Sequence, residues 1–159
     1  MVKISEEIVK IFIRTEIHYI FSRKKAYGKK SDGLLELIGG HVEDGETPFE
    51  ALQREAREEE ETGILANLLV EKQLTPINVN VEVDGLSEQH FVYILNITEE
   101  DSRKLKASSD ESYGLEFIEN SFIETSEGLS KLRSDITWKT NEIFIALRKE
   151  DSNWLRQFI

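Results

Sequence analysis

Residues 39–64 read GGHVEDGETPFEALQREAREEEETGI, and the organisation of the chain can be worked out from this stretch. Thr47-Pro48 opens a helix, because threonine caps an N-terminus well and proline is tolerated at the first helical position. Glu50 lies three residues after Thr47, as a capping box requires. The helix is predicted to run through Ala51, Leu52 and Ala56 and to stop near Gly63. On it Glu55, Glu58 and Glu59 stand at i, i+3 and i+4, within about 100° of arc, so three carboxylates share one face. Like charges at that spacing destabilise a bare helix. The ordinary reading of such a face is a solvated acidic surface. The alternative is that hard cations sit between the carboxylates, since Mg²⁺ and Mn²⁺ prefer oxygen ligands. Arg54 is placed to pair with Glu58 at i+4 and to hold a ligand carboxylate in position. Gly39-Gly40 permits unusual backbone angles, so a main-chain carbonyl can approach the same ions.

The spacing of Gly40, Glu46, Arg54, Glu55, Glu58 and Glu59 decides between these readings. It resembles the signature of the Nudix hydrolase superfamily, G-x5-E-x7-R-E-U-x-E-E-x-G-U with U apolar. The resemblance implies an α/β protein, the Nudix α/β/α sandwich, with a mixed β-sheet and a catalytic loop–helix–loop. It also implies Mg²⁺- or Mn²⁺-dependent hydrolysis of a phosphoanhydride bond in a nucleoside diphosphate linked to another group. The substrate types are nucleoside triphosphates, nucleotide sugars, ADP-ribose and dinucleotides. Glu55 and Glu59 become the expected main metal ligands, Glu58 a ligand or proton acceptor, and the Gly39 carbonyl a further ligand. Glu46 and Arg54 are expected to organise the helix. The family often supplies another acid from a loop before a late strand. Here that loop is residues 108–112, with Glu111 as base or ligand and Asp110 as the alternative. Arg23 and Lys24 follow a strand where the family places phosphate-binding cations, and His41 is expected to line the pocket.

Two departures from the signature stand out. Ala56 fills a position usually held by a larger aliphatic residue. Glu60 and Glu61 intervene before Thr62-Gly63-Ile64 as a two-residue insertion. They are expected to lengthen the helix by about 3 Å or to form a bulge, with both carboxylates in solvent rather than in the metal cluster.

Around this segment, residues 8–14 and 17–22 are rich in β-branched and aromatic residues and read as two strands joined by a tight turn. Residues 26–46 read as a glycine-rich loop around a short apolar piece. Further strands are predicted at 65–72, 76–83, 90–97 and 115–119, with Asp84-Gly85 as a turn. Residues 98–112 are expected to be a mobile polar loop, and 129–149 and 152–158 to be helical. His18 and His90 are read as structural. Trp138 and Trp154 are assigned to core or dimer packing.

Composition bounds the rest. A chain of 159 residues suits a single domain over 1–159, with a C-terminal helical region at 129–158. The net charge of −11 disfavours duplex nucleic acid and anionic lipid but not a small anionic nucleotide that arrives with metal ions. No run approaches the roughly 20 apolar residues that span a bilayer, and Glu6-Glu7 stand where a secretory signal would be apolar. The absence of cysteine excludes disulfides and thiol nucleophiles and fits a cytoplasmic chain. It also argues against an isopentenyl-diphosphate isomerase, a related chemistry that relies on cysteine. A catalytically silent Nudix-fold nucleotide-binding module is the rival from another class, favoured only by the insertion. Assembly is left open between a monomer and a homodimer.

Overall fold

The computed structural model describes residues 6–72, 74–83 and 85–150. Its centre is strand β1 (Glu6–Arg14), whose alternating side chains serve two faces. Val9, Ile11 and Ile13 enter one apolar cluster, while Phe12 enters another on the opposite side. Along one edge β1 pairs in parallel with β6 (Leu86–Asn96), from Glu6↔Glu88 to Arg14↔Asn96. Its other edge is shared. β2 (His18–Lys24) pairs with it only at Ile13↔Ile20 and Arg14↔Tyr19, and β4 (Ile38–His41) takes over from Ile11↔Ile38 to Ile8↔His41. β2 meanwhile pairs with β3 (Leu35–Glu36) and β7 (Ser112–Glu119). This fork between β1 and β2 is where Gly39 and Gly40 lie. β5 (Ile77–Val83) completes the seven-stranded mixed sheet as a hairpin with β6. Gly85 of the predicted turn has φ 78°, which favours glycine, whereas Asp84 lies outside the described residues.

Helices cover both faces, as the sandwich requires. α1 (Pro48–Glu59) and α2 (Ile64–Glu71) bury Ala51, Leu52, Ala56, Leu65 and Leu69 against Val9, Ile11, Ile13, Tyr93 and Leu95. Ala56 is completely buried there, so the small residue at that signature position sits under close helix–sheet packing. On the other face Phe144 of α6 (Trp138–Glu150) meets Phe12 and Phe21 at ring-centroid distances of 5.2 and 6.1 Å. Among the described residues, no helix is long and apolar enough to cross a membrane.

Three expectations are corrected. Residues 65–72 are not a strand but most of α2. Leu65, Ala66 and Leu69 bury one helical face, and Leu and Ala propensities agree with that spacing. The supposed mobile loop 98–112 contains α3 (Glu99–Lys104), capped by the Thr98 hydroxyl, which accepts from the Asp101 N–H at 3.0 Å. Acids in its first turn and bases in its last complement the helix dipole, a cue present in the sequence. The C-terminal region is broken into α4 (Ser121–Glu124), α5 (Ser126–Leu132), a 3-10 turn (Arg133–Asp135) and α6. The segment 152–158, with Trp154, lies outside the described residues.

Candidate active site

The start of α1 forms as predicted. The Glu50 N–H donates to the Thr47 hydroxyl at 3.2 Å, and the Thr47 N–H donates to the Glu50 carboxylate at 3.0 Å. Such a cap contributes about 1 kcal/mol and fixes where the helix begins, hence which way its glutamates face. Arg54 then ties the preceding loop to the helix. It donates to Glu46 at 2.9 and 3.1 Å, to the His41 carbonyl at 2.9 Å and to Glu55 at 2.9 Å. Its predicted partner Glu58 is farther, at 3.6 Å, and half exposed. The guanidinium beside it holds the Glu46 carboxyl below its ordinary value, with a further contribution from the Glu43 N–H.

Glu59 is the most constrained carboxylate of the face. It is only 9% exposed, and it accepts a hydrogen bond of 2.8 Å from the Gly39 N–H. Burial pushes its carboxyl up to about 8; the Lys10 charge and the Gly39 bond oppose that, while Glu55 and Glu36 reinforce it. Burial also raises Glu55, against the pull of Arg54 and with Glu58 and Glu111 adding repulsion. Glu111, from the loop singled out in the sequence, is thus within electrostatic reach of Glu55. The double glycine is needed here for two different reasons. At Gly39, with φ 152°, a Cβ would lie 2.0 Å from the Val9 carbonyl oxygen. At Gly40 a Cβ would lie 2.3 Å from Oε1 of Glu55. The amide of Gly39 engages the glutamate face through Glu59.

Beyond the glycines opens a cavity of about 370 Å³, with Lys10, Lys24, Lys139, His41, His90 and Trp138 on its walls. His41, on the cavity wall, pairs with Glu6 at 3.0 Å. His90 is completely buried and its Nε2 pairs with Glu88 at 3.1 Å, in keeping with a structural role. Lys24 faces the cavity and approaches Glu36 at 3.5 Å. Arg23 does not join it: its guanidinium donates to Glu116, Asp135 and the Gly33 carbonyl. The reason is strand alternation, which sends neighbouring side chains to opposite faces.

Other participants were missed. Lys10 interrupts the apolar run IVKIFI, and a lone lysine inside a strand that is otherwise core was the available signal. Trp138 is 52% exposed on the cavity wall, not in the core. Glu60 is 1% exposed rather than solvated, and α1 is not lengthened: it ends at Glu59, with Glu60 extended at φ −120° and ψ 114°.

The donor set suits hard divalent cations. Glu55, Glu58 and Glu59 offer oxygen ligands only, and two of the three are raised because nearby positive charge does not balance their burial. Gly40 leaves beside Glu55 a space that any side chain would fill.

Comparison with known proteins agrees with this geometry. The family model described as the NUDIX domain matches residues 9–127. No curated protein sequence matches significantly. Among solved structures, the chain is similar to the MutT protein from Methanosarcina mazei Go1, with 17% identity and a TM-score of 0.59, covering 94% of this chain and 97% of that one. An Ap4A hydrolase from C. elegans shows 17% identity and a TM-score of 0.60, over 96% and 99% of the two chains. A bifunctional NMN adenylyltransferase/ADP ribose pyrophosphatase from Francisella tularensis, solved with AMP and a Mn ion, shows 16% identity and a TM-score of 0.65. The match covers 93% of this chain but 42% of that longer one. At these identities the structural likeness establishes the fold, and the family model establishes membership: the chain belongs to the Nudix family and is a hydrolase of that kind, acting on nucleoside diphosphate derivatives.

Proposed function

We propose that this enzyme hydrolyses a phosphoanhydride bond of a small nucleotide with Mg²⁺ or Mn²⁺ as cofactor, binding its substrate in the cavity beside Gly39 and Gly40. The observation that carries this reading is the buried Glu59 carboxylate, held by the amide of Gly39, a residue that itself lines a cavity with Lys10, Lys24 and Lys139 on its walls. Glu55 and Glu59 are the main metal ligands, with Glu58 as ligand or proton acceptor and the Gly39 carbonyl as a further donor. When bound, the divalent ions supply charge neutralisation of the diphosphate and acidify the attacking water.

The chain's own groups do the remainder. Arg54 orients Glu55 and keeps the 41–46 loop against the helix. Glu111, close enough to Glu55 to raise its carboxyl, is the base or an additional ligand. Lys10, Lys24 and Lys139 attract the phosphates in a protein that is otherwise acidic. Trp138 offers an exposed aromatic surface against which a nucleobase can stack. The cysteine-free composition supports a cytoplasmic location.

The binding-only alternative rested on the insertion of Glu60 and Glu61. Since α1 ends at Glu59 and the insertion lies beyond the three-glutamate face, that feature no longer favours it. Phosphate release from a panel of nucleoside triphosphates, nucleotide sugars, ADP-ribose and dinucleoside polyphosphates, with each metal in turn, tests the reading. Turnover of at least one class that is abolished by chelator is expected. A panel bound in the cavity but never cleaved would restore the alternative.

A further inference from the structure

Glu60 presents an unusual combination: an acidic side chain almost entirely withdrawn from water, with no ion pair to a cation among the described residues. Its carboxylate accepts from the Thr62 N–H at 3.1 Å, the Thr62 hydroxyl at 2.6 Å, the Leu65 N–H at 3.2 Å and the Lys106 N–H at 2.9 Å. Burial alone would raise this acid, but the bonds from Thr62, Lys106 and Leu65 outweigh it and hold the group below its ordinary value. Three of the four donors belong to the approach to α2 and its first turn, and one to a segment 46 residues away in sequence.

The backbone on either side repeats the link. The Ser108 N–H donates to the Glu59 carbonyl at 2.8 Å, and the Glu61 N–H donates to the Lys106 carbonyl at 2.9 Å. Glu60 and Ala107 face each other as an antiparallel bridge. Residues 59–61 and 106–108 therefore form a short ladder that begins at a candidate metal ligand. From Ser108 the chain turns at once, its carbonyl accepting from the Glu111 N–H at 3.3 Å and the Ser112 N–H at 3.1 Å. On the far side the Glu111 carbonyl accepts from the Lys25 N–H at 3.2 Å. Glu111 thus sits one turn beyond the ladder, and the ladder is made by the residues inserted into the signature.

We propose that Glu60 is a positioning residue: its buried carboxylate locks the 105–112 loop to the end of the glutamate helix and so holds Glu111 at the catalytic face. Hydrogen bonds at three points attach the 106–108 segment to residues 59–61. A neutral amide cannot replace the carboxylate, because each of its oxygens accepts from at least one backbone N–H and the amide NH₂ would meet such a group head-on in either orientation. The inference rests on the reading that Glu111 takes part in hydrolysis, and the test separates the two.

The experiment compares Glu60→Gln, Glu111→Gln and the double variant, with kcat and KM measured at saturating metal and the exchange of the Lys106 and Ser108 amides followed by NMR. Glu60→Gln is expected to accelerate exchange at both amides and to lower kcat by about 10-fold with KM little changed. In the Glu111→Gln background the same change should produce no further loss. Equal losses in both backgrounds would overturn the proposal, because Glu60 would then act on the fold or on Glu59. Unchanged exchange would overturn it as well. A Glu111→Gln enzyme with full turnover would instead remove the role of Glu111, even if exchange showed that the ladder had opened. If Glu60→Gln does not fold, Thr62→Val removes one donor while keeping the charge, and the same comparisons apply.

Discussion

The Gly39 N–H donates a hydrogen bond of 2.8 Å to the Glu59 carboxylate across 20 residues of sequence. This bond joins the strand that lines the cavity to the helix that carries the acids. It sets the position of a carboxyl group that burial has already pushed up to about 8.

Glu59→Gln should lower turnover by at least about 100-fold, beyond the loss typical of groups that merely orient a ligand. It should also change how metal-free stability depends on pH. The folded value of about 8 lies above the unfolded value, so between them the folded chain keeps a proton that the unfolded chain has released. Stability from this group is therefore greatest in acid and falls as pH rises towards 8, by about 1.4 kcal/mol per unit at most. The metal-free variant should overtake the wild type in Tm progressively over that range. Parallel melting profiles would contradict the burial argument.

Gly39→Ala and Gly40→Ala should fail in opposite ways. At Gly39 the new methyl meets the backbone oxygen of Val9 and a φ that alanine resists, so stability should drop by about 1–3 kcal/mol. At Gly40 it meets only the end of the flexible Glu55 side chain. That carboxylate can swing away at little cost to the fold, but activity should fall by about 10-fold to 100-fold. Urea melts and metal titrations of the two proteins separate the effects.

Trp138→Ala should leave Tm nearly unchanged, because the side chain is half exposed on the first residue of α6. KM for a nucleotide should rise by about 5-fold or more if the ring carries base stacking. An unchanged KM across the substrate panel would place the base elsewhere.

Arg23→Ala and Lys24→Ala, adjacent in sequence, should also diverge. Arg23 bridges Glu116 and Asp135, both more than a third exposed, so its loss should cost no more than about 1 kcal/mol, or about 2–4 °C in Tm, with KM unaltered. Lys24→Ala should raise KM with Tm preserved, because Lys24 lines the cavity. Initial-rate kinetics alongside calorimetry distinguish a phosphate contact from a structural one.

How far the sequence could be read follows from the range of the forces involved. The capping box, the shared face of Glu55, Glu58 and Glu59, and the apolar alternation of β1 and β6 are local, since each depends on residues a few positions apart and on helix or strand geometry alone. These features, with the signature spacing, determined the family, the sandwich and the acidic face. Residues 65–72 and 98–112 were misread because short apolar or polar runs carry little periodicity, and packing or a single cap decides their state.

What only the tertiary structure decided are the relationships in which distant segments share one space. Glu60 looks like any other member of a four-glutamate run until the 106–108 segment arrives to supply its donors. Arg23 looks like a phosphate ligand until Asp135 closes on it, and Trp138 looks like core until the fork between β1 and β2 opens a cavity at its face. The physical reason is common to all three. A charged or aromatic side chain takes its role from the dielectric and partners around it, and those are supplied by parts of the chain that local sequence does not specify.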